Sequence, residues 1–243
     1  MMNWLVKLRD RLFGLDKLHF LMRNMIIKNE QHSHLNSREL KAFEIVKPYF
    51  PNGFLFETGF SMSFQAIQHI LNDIIVYKPN SILEFGSGLS TQIISSFIQK
   101  NQLKTQLYSI DEDQQWQESL GITNPLVTLL SFPLISNSPY SWNKVGIWYD
   151  IPVNHDLQKL HFDMILVDAP KGNICKNSRY GFIPFLQNRL GTNSIVFLDD
   201  SNRPDETEVV RLAQINFSYL VNTQNNIRYT RLSGRESFYT RPS

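Results

Sequence analysis

A glycine-containing loop gives the clearest chemical signal in the sequence. The segment EFGSGLST (residues 84–91) follows a short apolar run and precedes an apolar-periodic stretch typical of a helix. Glycines at 86 and 88 allow the backbone to turn sharply and to approach a ligand closely, and the first turn of the next helix presents unpaired amides. We therefore expect a cofactor to contact Gly86, Ser87, Gly88 and Ser90.

Two residues around this loop discriminate between cofactors. A dinucleotide site prefers a third glycine at position 91, where this chain has Thr91, and Glu84 is foreign to that pattern. S-adenosylmethionine (SAM) has no pyrophosphate, and a carboxylate at Glu84 can act on its positively charged amino-acid end. We expect SAM as the cofactor. The alternatives are a nicotinamide-dependent oxidoreductase on a Rossmann-like sheet and a non-catalytic SAM-binding module.

Asp111 ends the second predicted strand and is the next candidate for the cofactor site. A carboxylate at that position can accept hydrogen bonds from both ribose hydroxyls, as in the related dinucleotide folds. Glu112 and Asp113 follow directly, so a solvated acid at the strand end is the alternative.

Three aspartates follow two later apolar runs. Ligands of open α/β sheets bind at the carboxyl ends of the strands, where Asp168 and the pair Asp199-Asp200 fall. Asp168 and Asp200 are candidates for a general base that accepts the proton of an acceptor hydroxyl. With Asp199 they also offer oxygen ligands to a divalent ion such as magnesium, manganese or cobalt. Alternatively, the aspartate pair caps a helix that begins near Pro204.

Several basic residues lie near these acids in the sequence. Arg179 and Arg203 are candidates for binding an acidic group of the acceptor through bidentate contacts, and ion pairs with the neighbouring acids are the alternative. A histidine side chain can accept a proton in general base catalysis, and His155 and His161 are secondary candidates for the base. Lys171 is interpreted as a solvated charge.

The elements that position these residues alternate along the chain. Apolar runs predict strands at residues 81–85, 107–110, 127–130, 164–167 and 194–198. Apolar spacings of three and four predict helices at 64–77, 90–99, 179–189 and 205–215. This alternation predicts a doubly wound α/β fold whose mostly parallel sheet is covered on both faces.

Two further regions depart from this alternation. Strand-like patterns at residues 217–221, 227–232 and 237–240, with a turn at Ser233-Gly234, predict a closing antiparallel hairpin. The long connection at residues 133–160 contains Pro133, Pro139 and Pro152 and the aromatic residues Tyr140, Trp142 and Trp148, which favours a substrate-facing insertion.

The N-terminal region has a different character. Residues 3–28 carry an apolar stripe at helical spacing and six basic residues. We expect a helix that packs on its own domain or on a second subunit of a homo-oligomer; peripheral contact with an anionic membrane is the alternative. Residues 29–36 read as a loop, and a short helix is predicted from Ser37 to Pro48.

Composition limits the function further. The 243 residues, 42% hydrophobic and 19% charged, suit one α/β domain with an extension. A net charge of +2 gives no basic face for nucleic acid. Cys175 is the only cysteine, so an internal disulfide and a multi-cysteine zinc site are excluded. No apolar run reaches the length of a transmembrane segment, and charges interrupt any secretory signal; we expect a cytoplasmic protein.

From about residue 60 to its C-terminus, the chain resembles the class I SAM-dependent methyltransferases. The resemblance rests on the segments SILEFGSGLST, LYSIDED, FDMILVDAPKG and SIVFLDDSNRPDE, with Ser90 in place of that pattern's third glycine. It implies a seven-stranded Rossmann-like methyltransferase sheet with an antiparallel strand near the C-terminus. We therefore expect an N-terminal helical extension at residues 1–60 and a methyltransferase domain at 61–243.

A narrower likeness concerns the acceptor. VDAPKG (residues 167–172), Arg179 and DDSNR (residues 199–203) with Glu206 resemble segments of the plant glucuronoxylan O-methyltransferases and their bacterial relatives. Asp199 and Asn202 stand where that group has a histidine and an aspartate. The resemblance implies methyl transfer to a hydroxyl oxygen of a sugar or glycan, and it permits magnesium at the strand-end acids.

Overall fold

The structure, a computed structural model, describes residues 2–226, 228–235 and 239–243. The strands of this part are β1 (Ser81–Phe85), β2 (Gln106–Asp111), β3 (Val127–Ser131), β4 (Leu134–Ser136), β5 (Ile147–Tyr149), β6 (Phe162–Val167), β7 (Leu190–Leu198), β8 (Asn222–Asn225) and β9 (Thr230–Ser233). The α-helices are α1 (Met2–Leu12), α2 (Leu15–Val46), α3 (Phe64–Tyr77), α4 (Leu89–Lys100), α5 (Gln114–Ser119), α6 (Phe182–Phe185) and α7 (Pro204–Asn216). Single 3-10 turns lie at Lys47–Tyr49, Trp142–Lys144, Asp156–Lys159 and Ser178–Gly181.

Seven of these strands form one sheet in the order β3-β2-β1-β6-β7-β9-β8. The first five are parallel, and β9 pairs antiparallel with both β7 and β8. This confirms the predicted doubly wound, mostly parallel seven-stranded Rossmann-like sheet with a late antiparallel strand. The chain direction across the sheet reverses between β1 and β6, and in such sheets the ligand crevice opens at that point, beyond the carboxyl ends of the strands.

Residues of the central strands are buried on both faces of the sheet. In β6, Met164 and Leu166 pack into the core beneath α3 and α4, whereas Ile165 and Val167 pack into the opposite core beneath α7. Parallel strands covered by helices on both sides need such continuous apolar runs. Because the strands are held in place by this burial, the polar residues that follow them lie at fixed positions along one edge of the sheet.

Helix α3 has the predicted bounds, and α4 and α7 lie within a residue or two of theirs. The predicted helix at 179–189 is wrong beyond its first half, because only the 3-10 turn at Ser178–Gly181 and the single turn of α6 form. Trp148 lies directly on Gly181, where a Cβ atom would come within 2.2 Å of the ring. Packing against this tryptophan therefore shapes the segment more than its helical periodicity does.

The C-terminal hairpin forms with shifted strands. Residues 217–221, predicted as a strand, form a turn after α7, because Phe217 and Leu220 are buried against the core. The actual strand β8 is the polar segment NTQN, which hydropathy does not reveal. The predicted strand at 237–240 falls partly on residues 236–238, outside the described residues, and Tyr239 and Thr240 lie in a bend.

The insertion at residues 133–160 packs inward. Its strands β4 and β5 form an antiparallel ribbon, and Trp148 and Tyr149 are fully buried. Their rings lie 5.3 and 6.1 Å from the ring of Phe85 in β1. The prediction of a substrate-facing insertion is therefore wrong, because its aromatic side chains fill one core of the sheet.

Helix α2 runs without a break through residues 29–36, so the predicted loop and the separate helix from Ser37 are wrong. No glycine or proline interrupts α2, and polar residues alone do not end a helix. Its last turns belong to the packed domain: Ala42 and Val46 are buried, and Glu39 accepts the backbone N–H groups of Phe64 and Gln65.

The first part of the chain presents apolar side chains to solvent. Trp4, Phe13 and Met25 are 65%, 77% and 64% exposed. Packing on its own domain is therefore wrong for these side chains, while packing on a second subunit or a membrane surface stays a prediction. Among the described residues, no helix combines the length and the apolar character needed to cross a bilayer.

Candidate functional site

A cavity of about 800 Å³ opens at the carboxyl ends of β1, β2, β6 and β7. It brings together most of the residues that the sequence singled out for chemistry: Gly86, Ser87, Gly88, Ser90, Asp111, Asp168, Lys171, Arg179, Asp200 and Arg203. Glu84 and Asp199 do not line it, and neither do His155, His161 or any residue of the insertion at 133–160.

The two loop glycines have different roles. Gly86 has φ +101°, and a Cβ atom there would lie 2.9 Å from the Cβ of Ala169, so its conformation and packing both require glycine. Gly88 is extended, with φ 175°, which any residue adopts, and a Cβ atom would meet only the ring of Trp116 at 3.9 Å. The protein itself does not require glycine at 88, and the position faces the cavity.

Glu84 organises the loop from beneath. Its carboxylate is fully buried and accepts hydrogen bonds from Ser90 Oγ (2.5 Å), Thr91 Oγ1 (2.6 Å) and Ser109 Oγ (2.7 Å). Burial raises the pKa of Glu84 to about 7, against the effect of the three hydroxyl donors. Helix α4 and strand β2 enclose the Glu84 carboxylate in this arrangement, and its contact with a cofactor stays a prediction.

Asp111 joins the loop to β2. Its Oδ2 atom accepts the N–H of Ser87 at 2.9 Å, and its Oδ1 atom accepts the N–H of Asp113 at 3.0 Å. The residue is only 8% exposed, which rules out the solvated-acid interpretation, and burial raises its pKa to about 6. Each oxygen retains acceptor capacity, and the residue lines the cavity.

The sequence reasoning missed two features near Asp111. Trp116, in the helix after β2, donates its Nε1–H to Ser87 O at 2.7 Å and lines the cavity. The loop at residues 58–62, which leads into α3, lines it as well. The position of Trp116 shortly after the strand-end acid Asp111 could have predicted that it lines the cavity. The loop at residues 58–62 has no sequence pattern that predicts this.

The three predicted acids of β6 and β7 meet at the other end of the cavity. One carboxylate oxygen from each of Asp168, Asp199 and Asp200 lies within 4.8 Å of the other two. Burial raises the pKa of Asp168 to about 6, with the guanidinium of Arg179 opposing this and Asp200 adding to it. Burial and the two neighbouring carboxylates raise the pKa of Asp199 well above its usual range.

Arg179 is a buried cation of this cluster. It is 3% exposed and donates to Asp168 Oδ1 and Asp200 Oδ2, both at 3.2 Å. It also donates to the backbone oxygens of Asp199 (2.7 Å) and Pro170 (3.3 Å). Internal acceptors use four of its five N–H groups, which matches the ion-pair alternative, while substrate binding by Arg179 stays a prediction.

Three exposed cations border the same cavity. Arg203 has a half-exposed side chain, with Nη1 2.9 Å from Asp200 Oδ2. Lys171 places its Nζ 5.4 Å from the centre of the Phe60 ring. Arg228, in the turn before β9, also lines the cavity. The sequence reasoning missed Arg228, because nothing in a hairpin turn indicates that it reaches a strand end.

The aspartate pair does not cap helix α7. The helix begins at Pro204 with Arg203 at its N-cap and no side-chain cap, so neither Asp199 nor Asp200 serves as the cap.

His155 lies outside the cavity. Its Nδ1 accepts the N–H of Leu157, and its ring packs on Phe132.

Comparisons with known proteins give only distant structural likenesses. No family model matches the sequence, and no curated protein matches it. Solved structures similar to this chain include an SAH-bound methyltransferase, PaMTH1, of Podospora anserina (16% identity, 82% of this chain and 88% of that chain, TM-score 0.44). An O-methyltransferase from Bacillus cereus in complex with SAH (10%, 81% and 90%, 0.46) and the O-methyltransferase NovP (10%, 70% and 78%, 0.49) are also similar.

Proposed function

We propose that this protein is a SAM-dependent methyltransferase that transfers a methyl group to a hydroxyl oxygen of a sugar or glycan. One observation carries the proposal. A single cavity joins a glycine loop after β1, a buried carboxylate at the end of β2 and a cluster of carboxylates at the ends of β6 and β7. The first two suit a nucleoside donor, and the third suits a hydroxyl acceptor.

The donor is proposed to lie along the loop at residues 86–90. The extended backbone at Gly88 leaves room for close approach, and Asp111 retains acceptor capacity for the two ribose hydroxyls. The indole of Trp116 offers an aromatic surface to the adenine. Glu112 and Asp113 add negative charge at this end of the cavity, which favours a donor that carries a sulfonium and an ammonium group.

The reaction needs alignment and one proton transfer. The acceptor oxygen forms a bond to the methyl carbon as the carbon–sulfur bond breaks, and S-adenosylhomocysteine (SAH) leaves with the sulfur electron pair. A sulfonium methyl is already electrophilic, so the protein aligns the oxygen with the carbon–sulfur bond and excludes water. A sugar hydroxyl must lose its proton during the transfer, and we assign that proton to the carboxylate of Asp168.

Asp168 is suited to this role by place and by acidity. It follows β6 directly beside the donor loop, because Gly86 lies against Ala169. Its pKa of about 6 leaves it ionised at neutral pH and close to the working pH, where a general base is most effective. Asp200, which follows the adjacent strand β7, assists by forming ion pairs with Arg179 and Arg203 next to Asp168.

The acceptor is proposed to carry an acidic group such as a uronate. Arg203, Lys171 and Arg228 border the cavity near Asp168, and a guanidinium binds a carboxylate with paired hydrogen bonds. The sequence predicts that Arg179 and Arg203 both bind the acceptor, and in this proposal Arg203 is the main contact of the two.

A methyl-transfer assay tests the proposal. The protein is incubated with SAM labelled in its methyl group and a panel of neutral and uronate-bearing oligosaccharides, and labelled ether and SAH are measured together. The expected result is equal formation of both products with a uronate-bearing acceptor. SAM binding without transfer to any acceptor would favour a binding module, and NAD binding without SAM binding would favour an oxidoreductase.

A further inference from the structure

We propose that Arg179 is the resident cation of the acid cluster and fills the place that a divalent metal ion would otherwise take. The three carboxylates of Asp168, Asp199 and Asp200 have the composition of an oxygen-ligand metal site, but the guanidinium already bridges two of them. The inference that Arg179 excludes a metal ion does not depend on the proposed methyltransferase function. The role given to Asp168 does rest on that proposed function.

The guanidinium is fixed from behind by the fold. Arg179 belongs to the 3-10 turn at Ser178–Gly181, whose last residue lies against the buried ring of Trp148. At the other end of the turn, the N–H of Asn177 donates to Asp205 Oδ2 at 3.1 Å. These contacts hold the turn between the strand ends of β6 and β7, and therefore set where the arginine side chain can reach.

The guanidinium has the contacts of a bridging ion. Its Nη2 lies 3.2 Å from Asp168 Oδ1 and 3.2 Å from Asp200 Oδ2, which follow neighbouring strands. Its Nη1 and Nε bind the carbonyl oxygens of Asp199 and Pro170. One cation thus joins the two loops that follow β6 and β7, as a metal ion with mixed carboxylate and carbonyl ligands would.

A divalent ion does not fit beside this guanidinium. An ion bound by all three carboxylates at about 2.0 to 2.6 Å would lie next to a cation that is 3% exposed and already bound to two of them. Two like charges this close in a buried pocket repel strongly. Moving Arg179 away would leave Asp168 and the carbonyls of Asp199 and Pro170 without this donor, at the high cost of breaking a buried ion pair.

This arrangement also makes Arg179 a positioning residue for Asp168. It binds Oδ1 of that carboxylate, and no described residue donates a hydrogen bond to Oδ2. The charge of Arg179 favours the ionised carboxylate, and its contact orients the second oxygen. The protein thereby obtains from one side chain the charge and the alignment for which other sites use a metal.

Metal binding to the isolated protein tests the inference without any acceptor. Manganese is titrated into the wild-type chain, into the single variants Asp199→Asn, Arg179→Met and Arg179→Lys, and into the double variant Arg179→Met/Asp199→Asn, with calorimetry and the manganese EPR signal as readouts. We expect no one-to-one site in the wild type or in Arg179→Lys. Arg179→Met should gain a one-to-one site whose affinity for manganese is at least about tenfold above the non-specific binding of the wild type, and the double variant should lose this site again.

Two outcomes would overturn the inference. A one-to-one manganese site in the wild type that disappears in Asp199→Asn would show that a metal and Arg179 coexist. A folded Arg179→Met variant that binds no manganese would show that the three carboxylates do not form a metal-binding site. Thermal unfolding of each variant establishes that it is folded, and the wild-type titration decides the first outcome even if Arg179→Met does not fold. Failure of methyl transfer would leave all these readings unchanged.

Discussion

The buried carboxylates at the two ends of the cavity are stabilised by different kinds of hydrogen-bond donor. At the donor end, Glu84 accepts from three hydroxyls and Asp111 from two backbone amides, all of them neutral donors. At the acceptor end, Asp168 and Asp200 are held by the guanidinium of Arg179. The donor end therefore leaves Glu84 and Asp111 on neutral donors, which suits a cationic ligand, whereas at the acceptor end Arg179 and Arg203 offset part of the negative charge.

The largest expected effect lies at the acceptor end. Asp168→Asn removes the base and should lower turnover by about 10²- to 10⁴-fold, the usual range for a lost general base. SAH affinity should stay close to that of the wild type, because the donor end is held by other residues. Initial rates of SAH formation with the acceptor found in the transfer assay, together with calorimetry, provide the measurement.

The matched control for this variant is Asp156→Asn, the same substitution at an exposed aspartate paired with Lys159 outside the cavity. It should leave turnover unchanged. Full activity in Asp168→Asn would remove the proposed base and redirect the search to His155 or His161, although neither lines the cavity.

The next effect lies at the donor end. Asp111→Asn should weaken SAH binding by about 2 to 4 kcal/mol, because the ribose loses two hydrogen bonds to a charged acceptor. Calorimetric titration measures the affinity, and the thermal midpoint of the variant reveals whether the loop has kept its amide contacts. An unchanged affinity in a folded variant would remove Asp111 from the site.

The two loop glycines allow stability and binding to be separated. Gly86→Ala should lower the free energy of unfolding by about 1 to 3 kcal/mol, because alanine is strained at φ +101° and meets Ala169 at 2.9 Å. Gly88→Ala should change it by less than about 0.5 kcal/mol but weaken SAH binding about tenfold or more by filling the space of the ligand. Denaturant unfolding and calorimetry on both variants compare them directly, and normal SAH binding by Gly88→Ala would move the donor elsewhere.

The smallest expected effect is a pH dependence of stability. The pKa of Glu84 is about 7 in the folded protein and 4.5 without the fold, so the folded state favours the protonated form. Its contribution to stability is complete below pH 4.5 and is lost as the pH rises through about 7. Between pH 6 and pH 8 the loss is about 1 kcal/mol.

Thermal or denaturant unfolding at the two pH values gives the measurement. Burial also raises the pKa of Asp111 and Asp168, to about 6, so they act in the same direction. Glu84→Gln is therefore compared with the wild type, and its unfolding should depend less on pH. Equal slopes for the two proteins would show that Glu84 stays ionised on its hydroxyl partners.

The sheet could be predicted because each central strand is a short apolar run buried on both faces. The glycine loop and the strand-end acids could be placed for the same reason, since parallel strands end at one edge. The polar strand β8 has no hydropathy signal and forms by pairing with β9. The polar residues 29–36 have none either, and α2 continues through them because no glycine or proline interrupts it.

The partners of the charged residues were harder to predict. Arg179 finds acceptors 9 to 21 residues away in the chain, and sequence alone does not show whether it turns outward to a substrate or inward to acids. The loop alone predicts that Glu84 contacts the ligand, because nothing in it indicates that Ser109 on another strand donates to this carboxylate. Contacts between strands, which no local pattern records, decided both cases.

The central claim, that the glycine loop and Asp111 form a SAM site, is tested most directly by competitive calorimetry on the wild-type chain. SAH and NAD are titrated separately and then against each other, with Asp111→Asn as the variant that reports on the site. The account predicts one-to-one binding of SAH that is weakened in Asp111→Asn, and no binding of NAD. One-to-one binding of NAD at the same residues, with no binding of SAH, would contradict it.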